Sequence, residues 1–280
     1  MTKIRLNGQS ESTLANYGKC IAKLSLYFGC TPLELTDAQI NDYLLLLRDH
    51  QKPSYSYFKH TVYGLRYVFR LVGREDRAIR LPTIKRIKDL PVVFSKKECR
   101  LLFKTPKLLK HRILLSLTYS AGLRIAEVCN LHQRDIDFDR KQIHIRQSKY
   151  KKDRYVPLSD LMAKGLKKYY DACQPKDWVF NGKSYGSPIS KRGIGWVMRT
   201  TLKKTGIQKK ASLHTLRHSY ATHLLEDGLD LYTIQHLLGH EHISTTLVYL
   251  HVAHTIQQRG HSPFDTLYNI KKDSTQKDET

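Results

Sequence analysis

Cysteine is scarce in this chain and badly placed for chemistry. The five cysteines, Cys20, Cys30, Cys99, Cys129 and Cys173, are odd in number and scattered, with no Cys-x-x-Cys pair. That excludes a zinc ribbon and a disulfide scaffold and leaves reduced packing thiols. Long apolar runs are missing too: none approaches the roughly eighteen residues of a membrane helix, so no membrane contact is expected. The opening stretch MTKIRLNGQSES lacks the apolar core of a signal peptide, which points to the cytoplasm. There is no Walker A segment and no carboxylate cluster suited to two metal ions, so neither a nucleotide nor a metal is expected as cofactor. The scarcest charge is negative. Only 25 Asp and Glu face 48 Lys and Arg, a formal charge of +23 with a pI near 9.8, and that imbalance is the footprint of a protein that binds phosphate backbones.

What remains is a mostly helical pattern without repeats. Leu14, Tyr17, Ile21, Leu24 and Tyr27 recur at helical spacing over 12–28, and Thr36 to Gln39 forms a capping box ahead of Ile40, Tyr43, Leu44 and Leu47. A third helix is expected over 54–71, where Lys59, Arg66 and Arg70 interleave with aromatics and can meet DNA phosphates. The stretch RLPTIKRIKDLP then breaks the pattern with two prolines and reads as a linker. The expected organisation is a helical domain over 1–80, a linker over 81–94, a second domain over 95–270 and a polar, disordered tail over 271–280. In the second domain, helices are expected near 95–104, 108–120, 124–132, 158–172, 189–204, 214–227, 230–238 and 243–252. Two strands, 142–147 and 153–158, flank the basic turn Ser148–Lys152. The fold class is mainly α with a small antiparallel β-sheet.

The chemistry concentrates in HTLRHSYATHLLEDGLDLYTIQHLLGHEHISTTLVY, residues 214–249. His214 and Arg217 stand three apart, His240 closes a Leu-Leu-Gly-His turn, Tyr249 follows, and Arg124 lies upstream in AGLRIAE. A tyrosine with a pKa of about 10 must lose its proton to attack a phosphorus, and a cationic pocket helps it do so. A planar guanidinium offers paired donors to phosphate and stays protonated. His236, His240 and His242 also raise the thought of a metal site, but no cysteine or carboxylate completes one.

The blocks AGLRIAE at 121–127, SKYKKDRYVPL at 148–158, LHTLRHSYATHL at 213–224, LLGH at 237–240 and the Tyr249 segment stand in the order found in the tyrosine recombinases (phage integrase family). The chain resembles that family, and its Xer-like and integron-like members in size. The resemblance implies a helical, SAM-like core-binding domain followed by an α+β catalytic domain, closing together around double-stranded DNA. It implies a site-specific recombinase, nucleoid-associated and serving mobile elements or chromosomes, that cleaves through a 3′-phosphotyrosyl link and exchanges strands as a tetramer through a Holliday junction. Tyr249 would be the nucleophile, Arg124 and Arg217 the phosphate clamp, His214 and His240 the proton-handling and hydrogen-bonding pair, and Lys149 the general acid. Which histidine carries the proton is not fixed by the sequence, and His218, His223, His236 and His242 compete for that part. Lys149 stands as Ser148-Lys149-Tyr150 where the family often has flanking glycines, and Lys151 and Lys152 are alternatives. Glu127 would support the helix or orient Arg124. The segment HSPFD at 261–265 replaces the His-Pro-Arg often found there. Two rivals share the fold: a type IB topoisomerase and a DNA-binding regulator without activity.

Overall fold

Helices begin where the caps stand. Thr36 Oγ1 accepts from the Gln39 amide at 3.2 Å while the Gln39 side chain accepts from the Thr36 amide at 2.9 Å. Ser95 and Glu98 repeat the exchange at 3.1 and 2.7 Å, satisfying amides that a helix start leaves without partners. The computed structural model describes residues 11–51, 55–77, 79, 90–146 and 153–253. Outside them lie Lys149 and the rest of the basic turn, the linker as far as residue 89, HSPFD and the expected tail. The chain divides into two compact units, Met1–Lys88 and Asp89–Thr280.

The first unit contains α1 (Glu11–Phe28), α2 (Asp37–Leu46) continuing into a π turn (Leu47–Gln51), and α3 (Tyr55–Leu71). Its core is Leu24, Ile40, Leu44, Leu47, Phe58, Val62, Leu65 and Phe69, each such side chain favouring the fold by about 1.5–3 kcal/mol. Gly64 lets α1 approach α3, since a Cβ there would stand 3.3 Å from that of Tyr17. The basic face expected on α3 is split. Lys59 and Arg70 are exposed, whereas Arg66 donates to the Ile79 carbonyl at 2.7 Å and serves the fold.

The second unit contains α4 (Lys96–Lys104), α5 (Leu109–Ser120), α6 (Ile125–Cys129), β1 (Ile136–Asp137), β2 (Gln142–Ile145), β3 (Arg154–Pro157), α7 (Asp160–Cys173), α8 (Lys191–Thr205), α9 (Leu213–Glu226) and α10 (Leu231–Leu238). Two 3₁₀ turns, Ile243–Thr245 and Leu247–His251, follow. The strands form one antiparallel sheet in the order β1-β2-β3. Ile143 pairs with Val156 on the buried face, and His144 with Tyr155 on the other, their rings stacked 4.6 Å apart. The protein is thus mainly α with a small antiparallel sheet.

Two stretches depart from the expected pattern. The helix expected over 124–132 stops at Cys129, and a 3₁₀ turn leads into β1, a strand too short to show alternation. Asp135 makes that turn: its carboxylate accepts from the His132 amide at 3.0 Å and from Arg146 Nε at 2.5 Å. The helix expected over 243–252 is instead the pair of 3₁₀ turns, where the hydroxyl of Thr246 meets His240 Nδ1 at 3.0 Å.

Candidate active site

The end of α10 organises the site. Gly239 closes that helix in the left-handed region, φ +63°, where a side chain is strained. Three successive carbonyls then point past the last turn without helical partners, and each takes one arginine. The Leu237 oxygen accepts from Arg154 Nε at 2.9 Å, that of Leu238 from Arg217 Nη2 at 2.6 Å, and that of Gly239 from Arg124 Nη2 at 2.8 Å. A Cβ on Gly239 would sit 3.0 Å from Arg154 Cδ, so the glycine is needed for room as well as for its backbone angle. Cations at a helix C-terminus also meet its negative end favourably.

One carboxylate balances these charges. Glu127, buried in α6, accepts from both Nη atoms of Arg154 and from Arg124 Nη1, each at 2.8 Å. A further oxygen contact to Arg217 Nη1 measures 3.9 Å. Burial works to raise its pKa, but the forked hydrogen bonds from Arg154, the Arg124 amide and the charge of Arg217 prevail and hold it down at about 2. Arg217 is fully buried, donating from Nη1 to the Gly122 oxygen at 2.6 Å. Its Nε has no hydrogen-bond partner among the described residues. Burial, with Arg124 beside it, lowers its pKa to about 9, so it is still a cation at neutral pH.

Helix α9 places the histidines. Ser212 caps it, and His214 in its first turn donates its amide to the Ser212 hydroxyl at 3.2 Å. One turn on, the His218 ring meets that of His214 edge-on at 4.5 Å. Arg217 points inward between them along the sequence. Burial and the two arginines lower the pKa of His214, and the same causes push His240 down to about 3.

Tyr249 packs with Tyr220, Ala221, Ile234 and Leu238 in an apolar cluster under α10 and is only 1% exposed. Its hydroxyl lies 3.1 Å from His218 Nδ1, and its ring is nearly parallel to that of His240 at 6.4 Å. Burial raises its pKa, opposed by the charges of Arg217 and Arg124.

Five of the six expected site residues, Arg124, His214, Arg217, His240 and Tyr249, therefore belong to one connected set; Lys149 lies outside the described residues. Two further members, Arg154 and Thr246, were not singled out for the site, and a third, His218, stood only among the histidines competing to carry the proton. Arg154 carried a signal, being a charged residue on the inward face of an alternating strand, shared with Val156, which requires a buried partner. His218 was only one histidine among several nearby, and Thr246 gave no sign. Beside Arg124 and His214 opens a cavity of about 500 Å³ that is also lined by Asn130, His144 and Arg146. Among the described residues no three His, Cys, Asp or Glu side chains form a group able to hold a metal ion.

The Phage integrase family profile matches residues 92–255, and that of the phage integrase N-terminal SAM-like domain matches residues 1–78. A tyrosine recombinase of Thermosipho africanus is 34% identical over 259 residues, 87% of this chain and 90% of that protein. Tyrosine recombinase XerA of Thermococcus kodakarensis is 32% identical over 258 residues, covering 90% and 88%. The solved Tn1549 transposon integrase in complex with a circular intermediate DNA shares the fold with a TM-score of 0.72 at 18% identity, over 96% of both chains. With both units matched and about a third of the sequence shared along most of the length of these relatives, the chain belongs to the phage integrase family of tyrosine recombinases.

Proposed function

We propose that this protein cleaves and rejoins duplex DNA at specific sites through a 3′-phosphotyrosyl link to Tyr249. The observation that carries the reading is the clamp. Two arginines, Arg124 and Arg217, are fixed by the Gly239 and Leu238 carbonyls, and the buried Arg217 Nε–H has no hydrogen-bond partner among the described residues, a donor held ready for an oxyanion. The Tyr249 oxygen attacks the phosphorus, and the bond to the 5′-oxygen breaks. Lys149 supplies the proton that the departing oxygen needs, while His214 and His240 donate hydrogen bonds to the phosphate. The ester energy stays in the phosphotyrosine, so resealing asks for no nucleotide and no metal ion.

The first unit would hold the other side of the duplex, with Lys59 and Arg70 of α3 on its phosphates, and four protomers would join two sites and pass strands through a Holliday junction. The bound DNA of the Tn1549 integrase complexes and the names of the relatives support this reading, as does the charge of +23. A nicked suicide substrate tests it. Covalent adducts should form with the wild-type chain and vanish in Tyr249→Phe while DNA affinity stays nearly unchanged. An adduct in the Phe variant would remove Tyr249 from the role, and a wild-type chain that cleaves but never joins two sites would favour DNA relaxation over recombination.

A further inference from the structure

We propose that His218 is a catalytic residue that accepts the phenolic proton of Tyr249, leaving His214 to the phosphate. The inference rests on the recombinase reading above and deepens it. Of the ring nitrogens around the tyrosine oxygen in the described residues, His218 Nδ1 is the one at hydrogen-bond distance, 3.1 Å. His240 is engaged elsewhere, its Nδ1 on Thr246 at 3.0 Å, and its ring lies alongside that of Tyr249. A group that removes a proton must reach it, and reach comes before basicity in choosing it.

The surroundings suit a proton carrier. His218 faces Tyr249 from the 3₁₀ turn, His214 and Arg217 from its own helix, and His240 from the end of α10. Burial, with His214 and Arg217 nearby, pushes its pKa down to about 4, so at neutral pH the ring is neutral, and in the tautomer with its proton on Nε2 the Nδ1 lone pair accepts from the tyrosine hydroxyl. The incoming phosphate, an anion, offsets the charge of Arg217 and makes the imidazolium easier to form. A recess of about 420 Å³, lined by Lys210, Ser212, His214 and Thr215, reaches His218 from the surface and gives the proton a route to water. The step balances: the Tyr249 O–H bond breaks as the His218 Nδ1–H bond forms, the phenolate oxygen bonds to phosphorus, and the P–O5′ bond breaks with its electrons on the 5′-oxygen. In rejoining, the imidazolium returns the proton to the departing tyrosine.

Single-turnover cleavage of a suicide substrate by the full chain tests the assignment, with either tyrosine or a fluorinated tyrosine of near-neutral pKa at position 249. His218→Asn keeps a hydrogen-bond acceptor but no useful base. With ordinary tyrosine it should slow cleavage by about 100-fold or more, and most of that loss should disappear with the fluorinated nucleophile, which arrives already ionised. Should that variant not fold, His218→Ala is assayed with added imidazole, which should restore cleavage. A folded Asn variant that cleaves at the wild-type rate, an equal loss with both nucleophiles, or no recovery with imidazole would overturn the assignment. Wild-type adducts lost in Tyr249→Phe test the recombinase reading separately, so failure of the His218 variants alone counts against His218 alone.

Discussion

Replacing Glu127 by Gln removes one charge and almost no volume. Burial leaves Glu127 with little water, and it accepts from Arg154 through both oxygens and from Arg124. Holding its carboxyl at about 2 rather than the ordinary 4.5 corresponds to about 3 kcal/mol in favour of the folded, ionised form, at about 1.4 kcal/mol per tenfold. Glutamine also turns an N–H₂ toward guanidinium donors, and breaking a buried pair on one side costs about 3–5 kcal/mol. The variant should therefore lose about 3–4 kcal/mol of stability at pH 7. The folded pKa lies below the unfolded one, so the contribution of the carboxylate is complete above about pH 4.5 and is lost as the pH falls toward 2. Wild type and variant should converge over that window. Urea unfolding followed by tryptophan fluorescence isolates the right unit, because both tryptophans, Trp178 and Trp196, lie beyond Lys88. A variant within about 0.5 kcal/mol of wild type at neutral pH, the range of an ordinary surface change, would refute the reasoning, and so would a gap that widens with acid.

Arg217→Lys loses the fork that spans the Gly122 and Leu238 carbonyls. Adduct formation should lose about 3 kcal/mol of transition-state stabilisation, while affinity for intact DNA, measured by gel shift, falls much less because other cations dominate the phosphate contacts. Lys149→Ala should be inactive on ordinary DNA but cleave a 5′-bridging phosphorothiolate, whose sulfur departs without a proton; rescue of Lys151→Ala or Lys152→Ala instead would move the general acid along the turn. Gly122→Ala meets both a positive φ of +58° and the Tyr220 ring 2.5 Å from the new Cβ. Thermal and urea unfolding should show a loss of about 2–4 kcal/mol, and a neutral result would mean that the ring moves aside freely.

Much of the architecture was legible because caps and periodicity are local. Thr36 and Ser95 with their Gln39 and Glu98 partners marked two helix starts, and both main strands lie within the expected segments. What escaped depends on distant partners. Two residues of β1 carry no period, and the turn before it follows from Asp135 meeting Arg146, eleven positions on. The segment around Tyr249 has helical composition but is held in 3₁₀ turns, with Thr246 committed to His240. The family motifs named the arginines but not what fixes them: that the oxygens of Leu-Leu-Gly each take a guanidinium follows from where the chain brings α6, β3 and α9, which no single segment encodes. The choice of His218 among the competitors was closed to the sequence for a related reason, since only the fold turns one of the six histidine rings between residues 214 and 249 onto the tyrosine oxygen.

The three-carbonyl end of α10 also decides how the site fails. Arg124, Arg154 and Arg217 come from three separate elements and share one helix terminus, so fraying that terminus by a single turn takes one support from each of them at once, leaving Arg217 on the Gly122 oxygen and Arg124 and Arg154 on Glu127. Helix ends are among the first parts of a protein to open. The three guanidinium groups then loosen together rather than one at a time, and on the proposed reading the phosphate clamp weakens as a whole. On that reading, a site that weakens as a whole is safer than one that loses half its groups, because a chain still able to cut but not to reseal would leave a break behind.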